Sequence, residues 1–548
     1  MKSSYKLEKE RFVSFTSGSS VWHVNSISAV ALASIVLHST LKSRFSWSGP
    51  GGASFPSFTI DFIILVIPLL LSMTAFAEAP WQLVSMLLIP AGLILLFRPP
   101  TLSAFSLLPP LSPPSRSTSP IPPRANTRSP SNRGVHLPDR LSQSFMDESK
   151  STTSLLTGPV PYLTTYRAHM MLMTILAILA VDFNVFPREL AKCETFGVSL
   201  MDLGVGSFVF SQGLVSATPI LRDVSILKER SVPKMFYALR KVLPLLALGM
   251  IRVILVKGTD YPEHVSEYGV HWNFFLTMVF LPPLSVLLHP IILQTPIALV
   301  GISISIVHEM MLRKTSLEAW ILSPHRHSLL SQNKEGITSL IGYLALHVLG
   351  LSMGTLLLPA SPSLFKRQLK LLTGNSDASS MAHQMPSKRQ PGKAAIELCS
   401  YAFTWWILFG LSTSARRHHK SAVSRRLANL PYVLWVAAFN TTVLLGYLLI
   451  DTHFFHVKPP PSFPYAGTSQ TFESDDTGIE RKAPELLEAI NRNGLVVFLL
   501  ANMLTGVVNL CMRTMYATDT VALGILAVYS FVICGSAWAC RYRRLWRL

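Results

Sequence analysis

Long apolar runs recur thirteen times along this chain, near 25–41, 58–77, 80–97, 167–186, 199–217, 236–256, 271–288, 291–311, 337–358, 395–412, 431–450, 494–512 and 520–540. A helix needs roughly twenty apolar residues to cross the hydrocarbon of a bilayer. Inside lipid every backbone N–H and C=O must find a partner within the chain, so such runs become helices and not open sheet. A membrane barrel would instead show alternation in stretches of about ten residues, and these runs do not alternate. The expected fold is therefore all-α, a polytopic membrane protein with about 13 transmembrane helices. Composition agrees: of 548 residues 49% are hydrophobic and 14% are charged, against about a quarter charged in soluble domains. An ordinary water-soluble globular fold is excluded.

Three regions follow. Residues 1–98 carry transmembrane helices 1–3. Residues 99–164 include SLLPPLSPPSRSTSPIPPRANTRSPSNRG, too rich in Pro and Ser to bury the apolar surface that ordering demands, and read as a disordered loop. Residues 165–548 carry helices 4–13. The stretches 366–394 and 457–482 read as further surface loops. The polar start MKSSYKLEKERF precedes a run long enough to span, so no cleavable signal peptide is expected.

The formal net charge is +19. In a soluble protein this would suggest nucleic acid; here surplus Lys and Arg fit the cytoplasmic loops of a membrane protein, and no nucleic acid partner is expected. An odd number of spans puts the termini on opposite sides, and the larger share of Lys and Arg favours a cytosolic C-terminus, CRYRRLWRL. The loop ARRHHKSAVSRR runs against that assignment. Five cysteines (Cys193, Cys399, Cys511, Cys534, Cys540) show no metal-ligand spacing, so neither a disulfide framework nor a zinc site is expected.

Ionisable groups within apolar spans are costly and point to function; here they include Asp61, Asp182, Asp202, Glu309 and Asp451. The richest neighbourhood is AILAVDFNVFPRELAKCETFGVSLMDLGVGSFVF. Pro187 follows Asp182 closely and suits the first turn of a new helix, so RELAKCET is expected to be a short helix that redirects the chain and lets Lys192 fold back toward Asp182. An acid and an ammonium at the mouth of an apolar cavity suit acyl transfer to a hydroxyl: the acid accepts the proton and the cation steadies the oxyanion. An ion pair that merely seats two costly charges has the same spacing. Small residues in SLMDLGVGSFVFSQG fit close helix packing. In YPEHVSEYGVHWNFF, His264, Glu267 and His271 lack the HExxH spacing of a zinc site, so no metal is expected; placing a sugar or phosphate suits them better, as does interfacial anchoring by Tyr and Trp. Arg425 and Arg426 in SRRLANLPY have the fork geometry that grips phosphate. Asn502 and Asn509 form one polar stripe in an apolar helix, as helix packing or ligand binding would require. The candidate substrate-binding residues are thus Arg167 in TTYRAHM, Asp202, His271, Asn273, Arg425, Arg426, Asn429 and Asn502. No GxSxG elbow, Walker loop or dinucleotide fingerprint has a suitable setting.

The stretches AILAVDFNVFPRELAKCETFGVSLMDLGVGSFVF, EYGVHWNFF, SRRLANLPYVLWV and NGLVVFLLANMLTGVVN, with KLEKERFVSF and NKEGITSLIGY, resemble the signature stretches of the glucosaminyl-phosphatidylinositol inositol acyltransferases, the PIG-W or Gwt proteins. The resemblance spans the chain except its long loops. It implies a multi-pass enzyme of the endoplasmic reticulum membrane with thirteen transmembrane helices. Its activity would be transfer of an acyl chain, usually palmitoyl from palmitoyl-CoA, to the inositol ring of glucosaminyl-phosphatidylinositol, an early step of GPI-anchor biosynthesis. Acyl-CoA is then a co-substrate, no cofactor is required, and the partners are those two substrates and membrane lipids. By motif match the family's catalytic aspartate and lysine fall on Asp182 and Lys192, with transfer expected to be direct and without an acyl-enzyme. The chain departs from the family pattern at Ala168 and His169, where relatives tend to have glycines, and His169 is expected to narrow the acyl tunnel if that bend lines it. Loop charges put Asp182 and Lys192 near the lumenal side while the donor is cytosolic, so either the acyl chain threads a tunnel through the helices or the two groups lie deeper than the loops suggest. The rival readings are a lipid transporter or flippase, disfavoured by the lack of internal repeats, and a non-catalytic scaffold.

Overall fold

The computed structural model describes residues 16–45, 55–97, 160–258, 265–374, 389–414, 423–454 and 483–545, with Tyr5, Glu8, Lys9, Arg11 and Phe12; the side chains of 252 and 254–258 are not among them. The Pro/Ser-rich loop expected at 99–164 therefore lies outside the described residues up to 159, as does all of 457–482. Among the described residues the fold is all-α, and the one β contact is an isolated antiparallel bridge between Ser19 and Val198.

The main helices are α1 (Val21–Arg44), α2 (Phe55–Leu65), α3 (Ile67–Ser72), α4 (Pro80–Phe97), α5 (Pro161–Ala180), α6 (Leu200–Arg222), α7 (Ser231–Gly258), α8 (Phe274–Leu287), α9 (Ile297–Lys314), α10 (Lys334–Leu357), α11 (Leu364–Leu372), α12 (Pro391–Ser414), α13 (Leu430–Phe454), α14 (Glu485–Arg492), α15 (Gly494–Cys511) and α16 (Asp519–Ala539). Every expected apolar run carries helix. Among the described residues ten spans, one of them the α2–α3 pair, are long and apolar enough to cross a bilayer, which makes the chain a multi-pass membrane protein. The count of 13 is not reached on that measure: α7, α8 and α9 fall outside it, α8 because it is a fourteen-residue helix interrupted by Pro282 and Pro283. Starts are set locally: Ser20, Ser199 and Asn273 each accept a backbone N–H of the first turn of α1, α6 and α8.

Two sequence expectations change. The segment 366–394 is not all loop, because α11 covers Leu364–Leu372 with an apolar side that buries Leu364 and Phe365. RELAKCET is not a short helix either: only Arg188–Leu190 makes a helical turn. Residues 191–199 spend their backbone groups on distant partners instead. Gly197 N donates to Val423 O at 2.9 Å, Ser19 N donates to Val198 O at 2.6 Å, and Cys193 N donates to an Asp202 carboxylate oxygen at 3.0 Å. Gly197 sits at φ 148°, a conformation that glycine permits.

The helices alternate in direction, so their connections gather at two ends. One end collects residues 16–20, 181–199, 265–273, 323–335, 423–429 and 509–519, tied by bonds such as Val270 N to Gln332 O at 2.9 Å. The other collects the C-terminus with the ends of α5, α10 and α14, where Tyr162 Oη donates to Leu357 O at 3.2 Å and Leu545 N to Asn493 Oδ1 at 2.9 Å. Between them α6 and α10 touch backbone to backbone. A Cβ at Gly350 would lie 2.1 Å from Phe210 O, and one at Gly213 would lie 1.9 Å from His347 O. Small residues at such seams let lipid-embedded helices gain dispersion contact that the apolar solvent does not supply.

Candidate functional site

Asp182 follows the last turn of α5, where the run of helical apolar residues ends, and its carboxylate is buried. Its partner is not Lys192. One oxygen lies 3.2 Å from Lys9 Nζ and the other accepts Asn509 Nδ2 at 2.8 Å. Lys9 Nζ also donates to Asn509 Oδ1 at 2.6 Å, which closes a three-residue ring. Nearby, the Arg188 guanidinium donates to Phe183 O and Phe186 O and lies 4.1 Å over the Phe12 ring. Burial pulls its pKa down to about 10, and the Asp182 charge resists that fall. The N-terminal segment is thereby drawn onto the Asp182 end of the bundle.

Lys192 turns elsewhere. Its Nζ donates to Glu267 Oε2 at 3.1 Å, its carbonyl accepts Thr16 Oγ1, and its side chain keeps 35% exposure against 20% for Glu267. Both side chains line a cavity of about 1670 Å³ enclosed mainly by α5, α6, α7, α8 and α15. Small-molecule pockets run about 300–1,000 Å³, so this one has room for a long chain. Much of its wall is apolar, with Met170, Met171, Phe208, Phe274, Phe275 and Phe498. Asp182 is not on that wall; Val181, its neighbour in sequence, is. The expected fold-back of Lys192 onto Asp182 fails because the extended 191–199 segment carries Lys192 toward residues 265–273.

Of the candidate substrate-binding residues, Arg167, Asn273 and Asn502 line the cavity. Asn273 also caps α8 and donates to Gly249 O at 2.8 Å, and Asn502 Nδ2 bonds back to Phe498 O at 2.8 Å. The others belong to the frame. Asp202 Oδ1 takes Arg425 Nε at 2.5 Å, both side chains 1% exposed, and its carbonyl accepts Tyr432 Oη at 2.9 Å. Arg426 and Arg326 share the fully buried Glu335 at 2.8 and 2.5 Å. Asn429 Oδ1 accepts Ser424 N and Tyr432 N, holding the turn into α13, and His271 N donates to Asn333 Oδ1 at 2.9 Å. None of these five residues lines the cavity, and each makes at least one bond within the protein. His169 does lie on the wall, with Nδ1 2.6 Å from Tyr447 Oη.

The sequence reading missed Lys9, which sits in a polar N-terminal stretch with no local signal linking it to α5. It weighed Glu267 as a metal ligand and as a group that places sugar or phosphate, but not as the partner of Lys192. Among the described residues no group of three His, Cys, Asp or Glu side chains could hold a metal ion, and all five cysteines are free.

Residues 5–540 match the family model described as GWT1. Curated relatives named GPI-anchored wall transfer protein 1 align along nearly their whole length. That of Gibberella zeae is 40% identical over 98% of this chain and 97% of its own. That of Aspergillus fumigatus is 38% identical over 100% and 99%. That of Saccharomyces cerevisiae is 34% identical over 99% of each.

Proposed function

Because this chain belongs to the GWT1 family and acts in GPI-anchor biosynthesis, we propose that it is an O-acyltransferase of the endoplasmic reticulum membrane. It moves a palmitoyl chain from palmitoyl-CoA to an inositol hydroxyl of glucosaminyl-phosphatidylinositol. The observation that carries this reading is the large, mostly apolar cavity with the Lys192–Glu267 pair on its wall at the Asp182 end. An acyl tail needs an apolar enclosure, and the reacting thioester needs a cation beside it.

In this scheme an inositol hydroxyl enters past Val181 to Asp182, which lies behind the cavity wall and is held there by Lys9 and Asn509, and Asp182 takes its proton. The freed oxygen attacks the thioester carbonyl, and the Lys192 ammonium steadies the oxyanion that forms. The C–S bond then breaks, the ester carbonyl re-forms, and the CoA sulfur leaves with the proton held by Asp182. No acyl-enzyme is required. Acyl-CoA serves as co-substrate and no cofactor takes part.

Membranes holding equal amounts of wild type, Asp182→Asn or Lys192→Ala, given labelled palmitoyl-CoA and glucosaminyl-phosphatidylinositol, test the scheme. Acylated lipid is expected from the wild type and from neither variant. Product persisting in both variants would assign the pair to structure, as a scaffold requires. A wild type that carries lipid across vesicles without acyl-CoA and makes no ester would return the transporter reading.

A further inference from the structure

Arg167 lies on α5 two turns in from Pro161, within a transmembrane helix, and faces the cavity. An arginine inside a membrane bundle is expensive unless an anion or a set of acceptors answers it. Among the described residues neither Arg167 nor Arg544, which lines the same cavity, is bonded to a carboxylate. The two cations repel one another, which makes their shared location still costlier.

The protein nevertheless builds that location deliberately. Asn493 Nδ2 donates to Cys540 O at 3.2 Å and to Arg543 O at 3.0 Å, while its Oδ1 accepts Leu545 N. Arg492 Nη1 donates to Arg541 O at 2.7 Å. These bonds pin the C-terminal segment, and Arg544 with it, to the junction of α14 and α15. That junction packs on α5 one turn beyond Arg167: a Cβ at Gly494 would lie 3.3 Å from Met171 Cε. Asn493 spends its side chain on the C-terminus and gives α15 no side-chain cap, so first-turn N–H groups of this eighteen-residue helix are left for another acceptor. Asn491, Gly494 and Leu495 complete this part of the wall.

We propose that Arg167, Arg544, Asn491 and the first turn of α15 form a phosphate-binding site, which holds the head of an amphiphile whose tail lies in the apolar cavity. Guanidinium forks match phosphate oxygens in pairs, and a helix N-terminus adds oriented N–H donors. The phosphate has two sources: under the acyltransferase reading, on which the identity of that ligand rests, the pyrophosphate of acyl-CoA, or else the phosphodiester of an inositol phospholipid other than the reacting one, whose phosphate lies beside the ring that reacts at the Lys192 end. The site stands across the bundle from Lys192 and Glu267, so it anchors a head without touching the reacting atoms.

The test measures binding to the full-length protein in nanodiscs, with phosphatidylinositol, palmitoyl-CoA and phosphate-free diacylglycerol as three separate probes. Arg167→Ala is expected to weaken at least one phosphate-bearing probe by roughly tenfold or more, the loss of a charge-assisted pair of bonds, with diacylglycerol unchanged. The probe that loses affinity names the source. Arg167→Lys, which keeps the charge and loses the fork, is expected to fall between. If Arg167→Ala melts as wild type does and binds both phosphate-bearing probes as wild type does, the site is refuted. Equal weakening of diacylglycerol would also refute it, since that outcome reports packing. Should Arg167→Ala not fold, Arg544→Ala, exposed and outside any helix, carries the same test with a smaller expected loss; unchanged binding of both probes there overturns the proposal. Acylation in the same preparations separates the two ideas. Binding that depends on Arg167 without any ester formed sinks the acyltransferase alone, while normal acylation with Arg167-independent binding sinks the phosphate site alone.

Discussion

Two sets of charges stand at the same end of this bundle and differ in what answers them. Asp202 with Arg425, and Glu335 with Arg326 and Arg426, are nearly sealed from solvent and bonded to further protein groups. The Lys192 ammonium makes one bond, to Glu267, and both face a cavity, while Glu267 also feels the Arg425 charge. Ionic character is common to both sets, so charge by itself does not mark chemistry. The informative difference is unspent bonding capacity aimed at open volume. An ammonium has three donors, and a cation whose wall position leaves donors free can act on a bound molecule, whereas the Asp202 carboxylate is occupied by Arg425 and Cys193 N.

The contrast breaks most severely at Arg425→Ala. It would leave Asp202 charged and buried with its cation gone, a loss of about 3–5 kcal/mol for a sealed pair. Folded protein recovered in detergent, and its melting temperature, should both drop; a normal melt would show that the pair is dispensable to the frame. Lys192→Ala should do the reverse, leaving melting unchanged while acyl transfer falls by roughly 10²–10³, the usual cost of one oxyanion donor. Loss of stability in parallel with activity would put Lys192 in the frame as well. The smallest effect tests the frame by shape: Gly350→Ala forces a Cβ toward Phe210 O and should cost about 1–3 kcal/mol. Its melting temperature should fall, with the residual folded fraction still active per molecule. A melting temperature equal to wild type would mean that the α6–α10 seam yields freely.

The fold was largely legible. Apolar runs report helices because the lipid requirement acts on each segment alone, while caps such as Ser199 and Asn273 emerged only with the structure. The site was legible only in its residue types. Asp182, Lys192, Asp202, Arg425 and Arg426 all stand out as charges near apolar runs, but pairing Asp182 with Lys192 presumed a short helix at RELAKCET. That segment is extended because Val423 and Ser19, far away in sequence, take its backbone groups. Likewise Arg425 has the fork of a phosphate ligand, and whether it meets phosphate or Asp202 depends on where two loops come together.

The amino-acid order by itself determined that this chain is a many-helix membrane protein, roughly where its long helices lie, and which family it resembles. These are local or cumulative properties: hydrophobic length and short motifs keep their meaning whatever the rest of the chain does. The tertiary structure alone decided the partners. Lys9 meets Asn509 across 500 residues and Asp202 meets Arg425 across 223, and no periodicity encodes such distances. A buried charge accepts whichever partner the packing of helices delivers, so function here is set by assembly as much as by residue type.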